Sequence, residues 1–236
     1  MRTLAIVFCL MGAARACFGA GVVEGNGIAD TREENIRSFT EIDIGSGIAL
    51  EVVQGDLFAV SIRADSNVLP HIRVEKRGPE LRIFAEPGIN LRTRGMLARV
   101  IMPRLEKLSA HGGSQVSLAF DMPRGRIEGS ISGGGGIRGT LAADEVRLDA
   151  TGGATVTLEG YCADLDLHGS GGSRFLLSAF RARAAAVELS GGSRAELDVT
   201  DALELRLSGG SNVVYRGSPK IDARQMTGGS EVQSAP

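Results

Sequence analysis

Tryptophan is absent from this chain, tyrosine occurs twice, and aromatic residues make up only 4% of it. Flat rings are the common platforms for sugars and nucleobases and the common anchors of protein interfaces, so recognition by stacking has little to work with. Both signs of charge are interspersed. No basic block marks a nucleic-acid surface, and no acidic run marks a disordered tail. No stretch reaches the roughly 20 apolar residues that a membrane-spanning helix needs.

The first twenty residues differ from the rest. Arg2 precedes an apolar run from Leu4 to Ala14, and small residues stand at Ala14, Ala16, Gly19 and Ala20. This is the pattern of a secretory signal peptide with cleavage near Ala16 or Ala20. Residues 1–20 are therefore expected to be removed and the protein exported, to the periplasm, the outer-membrane surface or the medium. Cys17 follows a small residue, as a bacterial lipid-attachment cysteine does. Ala14 and Arg15, however, stand where that signal prefers Leu and a small residue, so an unlipidated Cys17 is the expectation. Removal takes Arg2 and Arg15 but no acid, which moves the net charge from −2 to −4. Of the three cysteines, Cys9 leaves with the leader, and cleavage after Ala20 would leave Cys162 alone. A single thiol forms no internal disulfide, so packing and backbone pairing must hold the fold.

What the chain has in abundance is glycine: 33 of 236 residues, about twice the usual share. Much of it comes in pairs, beginning at Gly112, Gly133, Gly152, Gly171, Gly191, Gly209 and Gly228, at intervals of 21, 19, 19, 20, 18 and 19 residues. The fourth residue after each first glycine is Val116, Ile137, Val156, Phe175, Ala195, Val213 or Val232. All are apolar. Two residues before each pair, the positions are again small or apolar, from Ala110 and Ile131 to Leu189, Leu207 and Met226.

Apolar residues at even offsets on both sides of a turn describe two half-buried strands. Paired glycines permit the positive φ values that a tight turn uses. Ser or Thr precedes the pair in six of the seven cases, His111 being the exception. A short hydroxyl at that place is expected to bond a turn amide. One such unit cannot bury its own apolar face, so successive units must stack. With one marked turn in about 19 residues, the expectation is an all-β fold, a parallel β-solenoid of seven coils, roughly 30 Å long at the usual strand spacing. A tandem of antiparallel hairpins would need turns of alternating type. The alanine-rich run from Phe180 to Leu189 has helical composition, but the register of Val187 and Leu189 makes it a strand.

Upstream the repeat loosens. Ile42 and Ile44 precede a Gly-Ser-Gly, with Ile48, Leu50 and Val52 after it; residues 58–65 alternate, and residues 72–86 read as two strands around Gly78-Pro79. Residues 21–107 are thus expected to form a less regular β region ahead of regular coils at 108–236. The phrases GSGIALEVVQGD, NVLPHIRVEKRGPELRI, VIMPRLEKLSAHGGSQV and the later SGGS turns resemble the head-GIN domain proteins, secreted bacterial β-solenoids described as "putative autotransporter adhesins". The likeness covers about residues 22–236. It implies a two-sheet superhelix with GSG turns and a role in adhesion.

No constellation for catalysis stands out. His71, His111 and His168 are the only histidines, and His111 and His168 read as turn-side surface residues. No HExxH or CxxC spacing points to a metal, and the recurring serines are unlike a unique nucleophile. The glycine turns lack the Lys of a phosphate loop and the Asp of the calcium nonapeptide. No catalytic, metal or cofactor residue is expected. The irregular run SISGGGGIRG (residues 130–139) is expected to be a bulge between coils. Asp144, Glu145, Asp149, Asp164, Asp166, Glu188, Glu196, Asp198 and Glu204 fall at outward offsets with Arg147, Arg174, Arg194 and Arg206 among them. These read as a solvated face, although paired carboxylates are also what a carbohydrate lyase or hydrolase uses. The first reading is therefore a non-catalytic exported binding protein for an unidentified protein or glycan. The alternative is a solenoid enzyme acting on carbohydrate. Copies of the chain would associate through solenoid ends or faces.

Overall fold

The computed structural model describes residues 21–235. The signal-peptide region and Cys17 lie outside them. The shorter strands come first: β1 (Gly21–Glu24), β2 (Ala29–Glu34), β3 (Glu41–Ile44), β4 (Ala49–Gln54), β5 (Ala59–Asp65), β6 (Ile72–Arg77), β7 (Glu80–Ala85), β8 (Ile89–Arg92), β9 (Leu97–Met102) and β10 (Lys107–Ala110). The long strands β11 (Gln115–Ile131), β12 (Gly136–Ala150), β13 (Thr155–Gly169), β14 (Arg174–Leu189) and β15 (Arg194–Leu207) follow, then β16 (Asn212–Arg216), β17 (Lys220–Met226) and β18 (Glu231–Ser234). The alanine-rich run is part of β14, as its register requires.

Each long strand belongs to two sheets. The first half of β11 pairs with β4 and its second half with β10, in parallel in both cases. One sheet runs β6-β7-β3-β10 and on through the second halves of β11 to β15, ending at β17. The other runs β2-β5-β9-β4 through the first halves, ending at β16 and β18. Parallel pairing throughout the coils excludes the tandem of hairpins. Among the described residues antiparallel pairing occurs only upstream, in the β6–β7 hairpin around Gly78 as expected, and where β5 lies between β2 and β9. Six coils run from β11 to β17, and β18 opens another.

The two sheets face each other across one core. Ala98, Leu50, Val116, Ile137, Val156, Phe175, Ala195 and Val213 form a single inward column, all buried. Volumes compensate between columns. At Gly169 a methyl would lie 2.8 Å from Phe175 Cε2 and 2.6 Å from Leu189 Cδ2, so the ring fills the space the glycine leaves.

The glycine pairs form the expected column. Both members have positive φ in every pair, from +61 to +68° at the first and +73 to +80° at the second, the signs of a type I′ turn. Successive turns bond to one another: the second glycine donates its N–H to the first glycine of the next turn, as from Gly134 to Gly152 (3.1 Å) and from Gly192 to Gly209 (2.9 Å). A Cβ on any first glycine would point at the backbone of the turn beneath. Ser46, at φ +63°, holds the equivalent place in the first turn, where β7 and no further turn of this kind lies beneath, and its Oγ accepts the N–H of Ala85 at 3.1 Å. This is why the first turn reads Gly-Ser-Gly and the later ones read Gly-Gly.

Two expectations change. In four of the seven turns a hydroxyl ties the turn, and it is on the residue after the pair: Ser173, Ser193, Ser211 and Ser230 donate to the carbonyls of Ser170, Ser190, Ser208 and Thr227 at 2.7–2.8 Å. The hydroxyl before the pair faces outward instead. The four-glycine run is no bulge either, because Gly136 to Ala143 pair without interruption with Gln115 to Met122. The two extra residues of that 21-residue interval are absorbed at the corner between the sheets, between Met122 and Arg126. The unequal intervals around β14 are likewise taken up at register shifts between Thr157 and Glu159, between Leu177 and Arg181 and, in the opposite sense, between Ala182 and Ala184. A corner can gain a residue without turning any core side chain outward, whereas a slip inside a strand cannot.

Candidate binding face

Alternation that sends Leu148, Leu167, Val187 and Leu205 into the core sends their neighbours outward on the same four rungs. Asp149, His168, Glu188 and Arg206 therefore stack in one outward column, and Arg147, Asp166, Ala186 and Glu204 in the next. The columns are laced together. Arg147 reaches Asp149 and Asp166, both at 3.3 Å, and Arg206 reaches Glu188 and Glu204 at 2.5 and 2.6 Å. The hydrogen bond to Asp149, with the charges of Asp149 and Asp166, pushes the Arg147 pKa further up, so its guanidinium stays charged. His168 Nδ1 lies 3.5 Å from Asp149 and 3.6 Å from Asp166, and its Nε2 lies 3.6 Å from Glu188. These are electrostatic contacts, longer than hydrogen bonds.

Two grooves flank this ladder. The first, of about 580 Å³, has Ala184, Ala186 and Ala202 for outward side chains and is edged by Asp164, Asp166 and Glu204, with Arg126 and Lys220 towards its ends. The second, of about 390 Å³, lies between the Asp149–Arg206 column and the hydroxyls that precede the glycine pairs. It crosses the rungs from β12 to β17 and runs along the solenoid axis.

The histidines all face carboxylates. His71 Nδ1 lies 3.3 Å from Glu86, His111 Nε2 lies 3.2 Å from Asp43, and His168 sits in the ladder rather than in a turn. The acids divide between the sheets. Asp149, Asp166, Glu188 and Glu204 share the laced face, with Glu145 beside them paired to Arg126 at 3.4 Å. Asp164 pairs with Arg183 near the same groove at 3.3 Å. Glu196 and Asp198 belong to the opposite sheet, where they meet Arg194 and Arg181. Asp144 is exposed, and Arg174 lies on the opposite sheet, away from the ladder. Hydropathy does not reveal the ladder, because its column mixes acid, imidazole and guanidinium. Aligning the third residue before each glycine pair would have shown it. Among the described residues, no group of three or more His, Cys, Asp or Glu is arranged to hold a metal ion, and no helix is long and apolar enough to cross a membrane.

Fold and face define a two-sheet β-solenoid with a laced outer surface. The family model described as "Putative auto-transporter adhesin, head GIN domain" matches residues 38–219, and the chain belongs to that family. No curated protein sequence matches it. Among solved structures, one described as a "putative adhesin" from Bacteroides fragilis NCTC 9343 is similar at TM-score 0.85 and 19% identity, covering 90% of this chain and 100% of that one. A second "putative adhesin", from Parabacteroides merdae ATCC 43184, is similar at TM-score 0.72 and 16% identity over 92% of this chain and 100% of that one. A "putative lipid binding protein" from Parabacteroides distasonis ATCC 8503 is similar at 0.71 and 19%, over 91% and 100%. At these identities the likeness establishes the fold.

Proposed function

We propose that this chain is a non-catalytic binding module, exported to the cell envelope or surface, that holds its partner along the outer face of the β10–β17 sheet. The observation that carries this reading is the periodicity of the face. Its polar groups recur rung after rung beside two grooves, which suits an extended partner better than the single convergent centre of a catalyst. The adhesin description of the family and the leader-like residues 1–20 support export and binding. In this reading residues 21–107 form the base of the solenoid, and the coils of 108–236 present the partner surface. The carboxylates that an enzyme would need are engaged by arginine, Asp149 and Asp166 by Arg147 and Glu188 by Arg206.

Beads coated with residues 21–236 test the proposal on bacterial and host cell surfaces. Adhesion is expected, and it should fall when Ala186→Arg and Ser190→Arg obstruct one groove each. No turnover is expected in a panel of polysaccharide lyase and hydrolase assays. Beads that never adhere, or turnover abolished by Asp166→Asn or Glu188→Gln, would overturn the reading.

A further inference from the structure

The two hydroxyls of each turn have different employment. In three of the turns the one after the glycine pair, Ser173, Ser193 or Ser211, is buried and bonded within its turn, as Ser193 is to the carbonyl of Ser190 at 2.8 Å. The one before the pair, in Thr151, Ser170, Ser190, Ser208 and Thr227, is solvent-facing, and its side chain bonds to no described residue. The fold therefore gives no reason for a hydroxyl at that position. The chain nevertheless places one there in six turns of seven. Stacking turns them into a line of donor–acceptors at roughly 4.8 Å intervals. The opposite wall of the same groove is the column of Asp149, His168, Glu188 and Arg206.

We infer that this groove is a binding channel for an uncharged linear polysaccharide, an inference that rests on the binding-module reading above. Three features select that chemistry. One wall of the groove, near-identical hydroxyls repeated across five rungs, matches a polymer of repeated hydroxylated units lying along the axis. Its walls offer hydroxyls, carboxylates, the His168 imidazole and a guanidinium and no Phe, Tyr or Trp, so the contacts are hydrogen bonds to hydroxyl groups and not the apolar anchors of a protein hot spot. Anionic polymers are disfavoured by charge. Asp149 and Glu188 line the groove against Arg206 alone, and Arg206 already holds Glu188.

The test measures retention of residues 21–236 on immobilised xylan and mixed-linkage β-glucan, with polygalacturonate and heparin as anionic counterparts. Retention by at least one uncharged polymer is expected, with little change between low and high salt. The outer triple variant Ser170→Ala/Ser190→Ala/Ser208→Ala is expected to bind about tenfold more weakly or worse with an unchanged melting temperature. The inner triple Ser173→Ala/Ser193→Ala/Ser211→Ala is expected to melt earlier yet bind normally while folded. Retention only by the anionic polymers, or an outer triple that binds like the parent, overturns the inference. If coated beads adhere to cells while both uncharged polymers fail, the inference falls and the binding module stands. If the beads also fail, the module reading falls with it.

Discussion

Within one turn the two glycines should tolerate a methyl group very differently. Gly191 and Gly192 have φ of +61 and +76°, so alanine at either position meets the same left-handed penalty, about 1 kcal/mol. Their surroundings differ. A Cβ at Gly192 meets nothing within 4 Å, whereas at Gly191 it would stand 3.1 Å from the backbone nitrogen of Gly171. That nitrogen belongs to a turn locked into the stack and has no rotamer by which to yield. Overpacking of this kind adds about 1–3 kcal/mol. Gly192→Ala should therefore cost about 1 kcal/mol and Gly191→Ala about 2–4 kcal/mol, a gap of several degrees in melting temperature for a chain of this length. Gly192→Asn should be close to neutral, because asparagine accepts left-handed backbone. The clearance also shrinks along the ladder, from 3.4 Å at Gly133 to 3.0 Å at Gly209, so Gly133→Ala should cost less than Gly209→Ala. Urea titrations followed by far-ultraviolet circular dichroism measure all of these. Equal costs at Gly191 and Gly192, or a larger one at Gly192, would refute the account of why the turns read Gly-Gly.

Ser193→Ala should destabilise by about 1 kcal/mol, losing a buried hydroxyl bond, whereas Ser114→Ala should be neutral or stabilising, because Ser114 Oγ is buried without a partner and Ala154 fills the same place two coils on; thermal melts separate the two. Burial, helped by Asp164 and Asp144, pushes the Cys162 thiol up to about 12, so native protein at pH 8 should react with Ellman's reagent only as fast as it opens, and at once in urea; prompt native labelling would contradict this. Arg73 and then His71 bond Glu86 and lower its pKa, so its contribution is present above the ordinary value of 4.5 and lost as pH falls through the lowered one. The cost of Glu86→Gln should accordingly be visible at pH 6 and vanish at strongly acid pH in paired denaturation curves. Ala186 lies between Asp166 and Glu204 on adjacent rungs; Ala186→Lys should stabilise and Ala186→Glu destabilise, each by about 0.2–1 kcal/mol, with a difference that shrinks in 1 M salt.

What could be read from the amino-acid order follows what burial constrains. The column from Val116 to Val213 faces a closed core, so a wrong residue there is costly, and its period survives even where the spacing drifts from 18 to 21 residues. The place where the drift is absorbed was not legible. Corners such as Met122–Arg126 are exposed or half-exposed and accept Pro, Arg or Gly alike, while the four glycines at 133–136 drew attention to a segment that pairs regularly. The hydroxyl assignment failed for a related reason. A hydroxyl residue stands on both sides of four of the seven pairs, and only the fold shows which side turns inward. On the candidate face the acids were identifiable as outward, but their neighbours were not. Which charges meet depends on rung register, and nothing about an exposed charge repeats in hydropathy.

Stacking also explains why the outer face is so mixed. In a parallel stack each outward residue sits beside its counterparts on the rungs above and below, so a literally repeated acid would place like charges roughly 4.8 Å apart along the whole rod. The inward columns can repeat one residue type because apolar contacts are not repelled by their copies. The charged outward columns vary for the most part, with exceptions where Arg174 lies beside Arg194 and Glu145 beside Asp164. Asp149 is followed by His168, Glu188 and Arg206, and Glu128 by Arg147 and Asp166, with opposite charges on most neighbouring rungs. Uncharged groups that both donate and accept are free of this constraint, and the hydroxyl is the smallest of them. It can therefore recur at the same offset coil after coil, as it does before the glycine pairs. A uniform polar line on a parallel solenoid is accordingly most easily made of Ser and Thr, and a ligand that reads such a line is one whose own hydroxyls recur.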